Sequence, residues 1–307
     1  MRLSYLVLVG ALVGSAQARG APEVDSITCM PDGEIVGRDP GKGVVIWRDG
    51  TWALTADREP DDLWNVPGAS PLVCCRDGDH VQTFSAKKSS SDREWPLPLG
   101  PGLLPTFSYV DGPLVANPER VFRLNPSGSS VDLGAVPPRP DGLKHHRGPV
   151  MMRGAAGWIA CYGASTFERD ATRGECVGSA PGLDFRADFG DYAAPGEIKL
   201  LTRPFACGDV AVVAVGDATL ARRLSDGKLL GSATGPARRG SLCLPDGRVL
   251  LVGKRTLNLY QLPTFRLRWS RAVGSVIRDV VLCGKQVVAL LAKSELVRLD
   301  LDELGRH

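Results

Sequence analysis

The sequence predicts an all-β protein folded as a single β-propeller, with seven four-stranded blades. Three observations carry this. A short turn unit recurs at intervals of about 42 residues between Asp32 and Gly284. The runs between the turns are short, apolar or alternating, and rich in β-formers, and no amphipathic helical pattern exceeds about two turns. Gly (36) and Pro (23) are spread along the chain, as frequent turns require.

The clearest copy of the unit is the stretch from Leu242 to Trp269. Ser241 to Leu244 forms a first short strand, and Pro245-Asp246-Gly247 turns the chain, Pro pre-setting φ and Gly accepting φ > 0. Arg248 to Val252 is an apolar run too short for a helix. Gly253-Lys254-Arg255 turns again, and Leu257, Leu259 and Gln261 then alternate with Asn258, Tyr260 and Leu262. Pro263-Thr264-Phe265 makes the third turn before Arg266 to Trp269. A four-stranded meander of this length is one propeller blade.

The turn recurs upstream. Cys29-Met30-Pro31-Asp32-Gly33 matches Cys243-Leu244-Pro245-Asp246-Gly247 at every position but the second. Cys74-Cys75-Arg76-Asp77-Gly78 keeps the Cys and the Asp-Gly, and Asp111-Gly112 keeps only the latter. Weaker copies fall at Gly154 to Gly157, Cys207-Gly208-Asp209 and Cys283-Gly284-Lys285. Asp32, Asp77, Asp111 and Asp246 are therefore expected in equivalent turns. The unit Leu242-Cys243-Leu244-Pro245-Asp246-Gly247, with the apolar strand after it, resembles the first half of a WD-type repeat. Arg222 to Leu230 and Leu259 to Trp269 are similar to quinoprotein-type repeats. There is no Trp-Asp dipeptide, so the resemblance implies the fold and leaves the activity open.

In chain order, Met1 to Ala18 reads as a signal peptide: Arg2, an uncharged apolar stretch, then Ala16-Gln17-Ala18 as a small-x-small cleavage site. The propeller domain is expected over 19–307. Blade one spans Ser26 to Ala56. Blade two contains Leu72 to Cys75 and His80 to Phe84, followed by a polar loop from Ala86 to Arg93. Blade three runs from Thr106 to Val136 and blade four from Val150 to Val177. Gly182 to Gly196 is read as a break in the period. Blade five covers about Leu200 to Thr234, blade six Ser241 to Arg271, and blade seven Val276 to Leu304. The last unit shows only three strands, so Gly20 to Asp25 is expected to pair beside Leu296 to Leu301 as the fourth and close the ring.

The formal charge of +3 is too small to suggest nucleic acid or anionic membrane as a partner. Eight Cys follow a signal peptide, which suggests disulfides. Yet most units place a Cys just before the turn. In WD-type repeats that position packs between blades, which implies buried free thiols behaving as small hydrophobes. Cys161 and Cys176 form the best disulfide candidate, within one blade. The adjacent Cys74-Cys75 is similar to the vicinal ring that quinoprotein alcohol dehydrogenases hold against their cofactor, but those enzymes are about twice as long, and no cofactor is expected. Asp184, Asp188 and Asp191 place three hard oxygens close together, a candidate Ca²⁺ set against the plainer reading of a solvated loop. His80, His145, His146 and His307 show no zinc-ligand spacing.

The expectation is an exported, non-catalytic, monomeric propeller, secreted or periplasmic, that binds a protein or glycan. It would neither enter a membrane nor bind nucleic acid. The alternative is a small-molecule lyase, hydrolase or quinoprotein-like oxidoreductase with its site at the propeller channel. Exposed aromatics such as Trp64, Trp95 or Tyr192 around a flat face would favour binding.

Overall fold

The computed structural model describes residues 22–30, 32–56, 62–64, 72–77, 80–85, 93–96, 114–116, 120–125, 129–136, 150–154, 156–162, 173–188, 204–215, 218–235 and 240–304. Apart from two 3₁₀ turns, every regular element among them is a β-strand, and the strands form seven antiparallel sheets, each a meander of consecutive strands. The first sheet holds β1 (Ser26–Cys29), β2 (Ile35–Asp39), β3 (Gly43–Arg48) and β4 (Thr51–Ala56). The second holds β5 (Asp62–Trp64), β6 (Leu72–Asp77), β7 (His80–Ser85) and β8 (Arg93–Pro96). The third has three strands, β9 (Leu114–Ala116), β10 (Arg120–Leu124) and β11 (Ser130–Ala135). The fourth comprises β12 (Val150–Gly154), β13 (Gly157–Tyr162), β14 (Arg173–Gly178) and β15 (Phe185–Asp188). The fifth comprises β16 (Phe205–Cys207), β17 (Val210–Val215), β18 (Ala218–Arg223) and β19 (Leu229–Thr234), and the sixth β20 (Leu242–Cys243), β21 (Val249–Val252), β22 (Thr256–Gln261) and β23 (Arg266–Ala272). The seventh has β24 (Ile277–Cys283), β25 (Gln286–Leu291) and β26 (Leu296–Asp300).

In the first, fifth, sixth and seventh sheets the last strand is the most exposed. β1, β16 and β21 are buried at every position, whereas β23 is exposed at all but one and β19 at half. That difference follows from composition: Val249-Leu250-Leu251-Val252 is apolar on both faces, whereas Arg266-Leu267-Arg268-Trp269-Ser270-Arg271 carries three arginines. The core lies between sheets rather than within them. One cluster joins the fourth and fifth sheets through Ile159, Leu183, Val213 and Leu224, another the fifth and sixth through Val212, Ala221, Val249 and Tyr260. A third joins the sixth and seventh through Leu257, Leu259, Val287 and Leu299. The last joins the seventh to the first, with Cys283, Val288 and Leu290 against Ile27, Ile35 and Val45, and this makes the arrangement a closed ring. Burying each such aliphatic side chain is worth about 1.5–3 kcal/mol. No sheet covers both its faces alone, so the stability of each depends on its neighbours.

Two expectations about strands need correction. Phe185–Asp188, placed by sequence in a break of the period, is the outer strand β15 of the fourth sheet, paired with β14 from Cys176↔Phe185 to Arg173↔Asp188. The 3₁₀ turn Pro181–Leu183 with its buried Leu183 carries the chain across to it. The N-terminal segment does close onto the last sheet, but not as a strand along β26. Asp25 N–H donates to Arg38 O (3.0 Å), extending the β1–β2 ladder. Val24, fully buried, donates its N–H to Ser294 Oγ (2.9 Å), and Ser294 Oγ donates to Pro22 O (3.0 Å). The segment is thus wedged between the first and seventh sheets. Gly37 makes room for it: a Cβ there would sit 2.6 Å from Val24 Cγ1 and 2.9 Å from the Trp52 ring.

Candidate functional site

The ends of the innermost strands carry a repeated joint. In the turn after β1, Met30 N–H donates to Glu34 O (2.8 Å), Gly33 N–H to Met30 O (2.9 Å) and Glu34 N–H to Asp32 Oδ1 (3.2 Å). In the turn after β20, Leu244 N–H donates to Arg248 O (2.8 Å), Gly247 N–H to Leu244 O (2.9 Å) and Arg248 N–H to Asp246 Oδ1 (3.0 Å). Gly33 and Gly247 hold φ of 87° and 80°, which a side chain would oppose. Asp32 and Asp246 therefore do the same work, each carboxylate capping its own turn. Asp77 ends β6, and its side chain, like all of Asp111, lies outside the described residues.

The Cys before each of these turns is bonded to the Cys that ends the inner strand of the preceding sheet. Cys207 of β16 pairs with Cys243 of β20, and Cys283 of β24 pairs with Cys29 of β1 around the ring closure. The two joints match further: Cys207 Sγ lies 3.5 Å from Gly247 O, and Cys283 Sγ lies 3.5 Å from Gly33 O. This corrects the expectation of free thiols at the repeat position. Packing between blades was the right location, but there a thiol meets its counterpart on the next sheet. Cys161 and Cys176, directly opposite one another on β13 and β14, form the third disulfide. Cys74 and Cys75 lie on β6 with side chains outside the described residues.

The ring closure has a second element that the sequence did not flag. Asp279, 5% exposed within the apolar strand β24, accepts the N–H of Ile27 through Oδ2 (3.0 Å) and that of Val280 through Oδ1 (3.0 Å). Trp52 Nε1 donates to Ser294 O (2.7 Å), and Arg278 donates to Val24 O (3.0 Å) and Glu23 Oε1 (2.8 Å). No local pattern distinguishes Asp279 from an exposed strand Asp; its bond to the Ile27 N–H forms only once β1 arrives.

Among the described residues, the exposed large apolar side chains are Leu54 on β4, Val131 on β11, Leu229 on β19 and Leu267 on β23, each on the last strand of its sheet. β23 adds Arg266, Arg268 and Arg271, all exposed and joined to no carboxylate among the described residues. Asp132 is held below the usual carboxylate range by the Arg120 side chain and the Gly134 N–H, and Asp226 by the Lys228 N–H and Arg223. Arg222 spans the fourth and fifth sheets, donating to Gly182 O (2.6 Å) and Gly227 O (3.1 Å).

The Ca²⁺ candidates are not assembled by the described part of the chain. Asp184 Oδ1 accepts the Gly178 N–H (2.9 Å), a turn role; Asp188 ends β15 with its side chain outside the described residues, and Asp191 lies wholly outside them. His145, His146, His307 and Tyr192 lie outside them too, as do the side chains of Trp64, Trp95 and His80. Among the described residues no group of three His, Cys, Asp or Glu could hold a metal ion, and no helix is long and apolar enough to cross a membrane.

Meandering antiparallel sheets, stacked through inter-sheet cores and closed last to first, define a β-propeller, and the chain has that fold. Solved structures agree. BBS1N in complex with ARL6DN matches over 92% of this chain and 95% of its own, at 14% identity and a TM-score of 0.56. Kuenenia stuttgartiensis hydrazine synthase matches over 95% and 99%, at 12% identity and 0.58. A streptogramin B lyase structure matches over 91% and 94%, at 11% identity and 0.53. No protein-family model and no curated protein matches the chain.

Proposed function

We propose that this is an exported propeller that acts as a binding or scaffold module for a protein or glycan, using its rim. The observation that carries the reading is the segregation of surface chemistry. The exposed apolar side chains sit on outermost strands, and three arginines without carboxylate partners among the described residues line one of them. Inter-sheet disulfides support an oxidising compartment. The fold does not choose between binding and catalysis, since similar structures include a protein complex and a lyase.

The test is site-specific photo-crosslinking in producing cells, with the photoreactive residue at Leu54, Leu267 or, as a control, Asp302 in the final turn. The reading expects a defined protein adduct from the rim positions and none from the control, or a reproducible hit on a glycan array. Rim positions that give no adduct, together with a blank array, would refute it.

A further inference from the structure

Among the described residues the seventh sheet has three strands, one fewer than the sixth and first sheets beside it. β26 is its outermost strand, whereas the sixth and first sheets extend to β23 and β4. Leu291 N–H donates to Glu295 O (2.8 Å) and Leu301 N–H to Lys285 O (2.8 Å), which sets the register: Glu295, Val297, Leu299 and Leu301 turn their amides toward β25. Leu296 and Arg298 therefore turn both N–H and C=O outward, and these groups have no partner among the described residues.

This edge is recessed by one strand spacing, about 4.8 Å, relative to the last strands β23 and β4 of the sheets beside it. Walls rise on both sides. On one, Trp269 packs against the inter-sheet core, and Arg271, paired with buried Leu257, projects on the same side. On the other, Trp52 belongs to the closure cluster, and Leu54, paired with Val45, follows it at 41% exposure. The described chain ends do not fill the slot. Pro22 and Val24 are held by Ser294, and Leu304 turns back into the core, its carbonyl accepting from Arg248 Nη1 (2.8 Å).

Deepening the binding reading above, we propose that the edge of β26 receives an extended segment of a partner protein as a fourth strand. Its backbone would pair with Leu296 and Arg298. Alternate side chains would be apolar toward Trp52 and Leu54 and acidic toward Arg271, which is exposed and joined to no carboxylate among the described residues.

The experiment titrates the full exported protein into labelled seven-residue peptides with capped ends, read by fluorescence anisotropy. One alternates Val and Glu, one alternates Val and Lys, and one is the Val/Glu peptide N-methylated at every second amide. Saturable binding of the Val/Glu peptide alone is expected. R298P removes an outward N–H at a position where an edge strand tolerates proline, together with the Arg298 side chain and its bond to Gln286 Oε1 (3.3 Å); compared with R298A, which removes the side chain alone, it should weaken binding by about a further tenfold. R271E should reverse the preference between the Glu and Lys peptides. Near-UV circular dichroism checks that each variant is folded, and N-methylation tests the same hydrogen bonds on the unaltered protein. No saturable binding, or binding indifferent to N-methylation, overturns the proposal. So does binding that appears only once residues 19–21 are deleted, which would make the chain's own N-terminus the occupant. A dimer abolished by R298P would make it a second copy, with the same consequence. Rim adducts that persist when peptides fail leave the binding reading standing while strand addition falls.

Discussion

Removing the Cys29–Cys283 disulfide should cost more stability than removing either of the others. The bond spans 254 residues, against 36 for Cys207–Cys243 and 15 for Cys161–Cys176. Chain entropy then assigns about 5.5, 3.8 and 3 kcal/mol to the three. Compactness of the denatured chain lowers each figure, so the informative quantity is the ranking, with about 1.7 kcal/mol separating the first two. The perturbation is the double variant Cys29→Ala/Cys283→Ala, compared with the Cys207/Cys243 and Cys161/Cys176 double variants; double replacement avoids stray thiols. Trp47 and Trp52, edge to face at 5.1 Å within the closure cluster, report on the region by fluorescence during urea unfolding. For a chain of 307 residues, 5.5 kcal/mol corresponds to roughly 8 °C in Tm. If the Cys29/Cys283 variant loses no more than the Cys161/Cys176 variant, the reasoning from loop closure is wrong for this ring.

Asp279→Ala leaves the Ile27 N–H buried without its acceptor and should cost about 1–3 kcal/mol in the same unfolding assay, with Asp279→Asn losing less. Gly37→Ala forces a methyl against Val24 and Trp52, and should lower stability by about 1–3 kcal/mol, whereas Gly208→Ala, at an open turn, is limited to its backbone strain. Asp132 and Asp226 have depressed folded-state pKa values, so the stability they contribute is present above the ordinary value of 3.8 and is lost as pH falls below it. Asp132→Asn/Asp226→Asn should therefore flatten the loss of stability below about pH 4, measured by urea midpoints; an unchanged acid limb would count against the assigned hydrogen bonds. Intact-mass spectrometry of the exported protein should find Arg19 as the first residue, and a product retaining Met1 would contradict cleavage after Ala18.

Local rules made much of the architecture legible. Strand boundaries in the first and sixth sheets follow directly from turn chemistry. The sequence places blade one at Ser26 to Ala56, which are also the bounds of the first sheet, because Asp49-Gly50 and Pro31-Asp32-Gly33 each impose a reversal. What depended on ring formation was not legible. Cys29 and Cys283 lie at opposite ends of the chain, and nothing near either one specifies the other. The same holds for Asp279, whose bond to the Ile27 N–H exists only after β1 arrives. β15 was missed because Gly182 to Gly196 is dense in Gly and Asp, which local propensity assigns to loop; pairing with β14 overrides that preference. By local rules alone the unpaired backbone along β26 is the dominant need, which points the closing segment to that edge. Burial of Val24 against Trp52 and capture by Ser294 prevail instead.

The bond between β1 and β24 also has a mechanical consequence. If the protein is pulled by its two ends, the load passes through Cys29 and Cys283, and the chain between them, a sequence separation of 254, carries none of it. At roughly 3.5 Å per extended residue, about 890 Å of chain stays hidden until that bond is reduced. Tethered between two attachments in an envelope under tension, such a ring would transmit force as a rigid link instead of unravelling blade by blade, and a thiol reductant would convert it into a long, yielding spring.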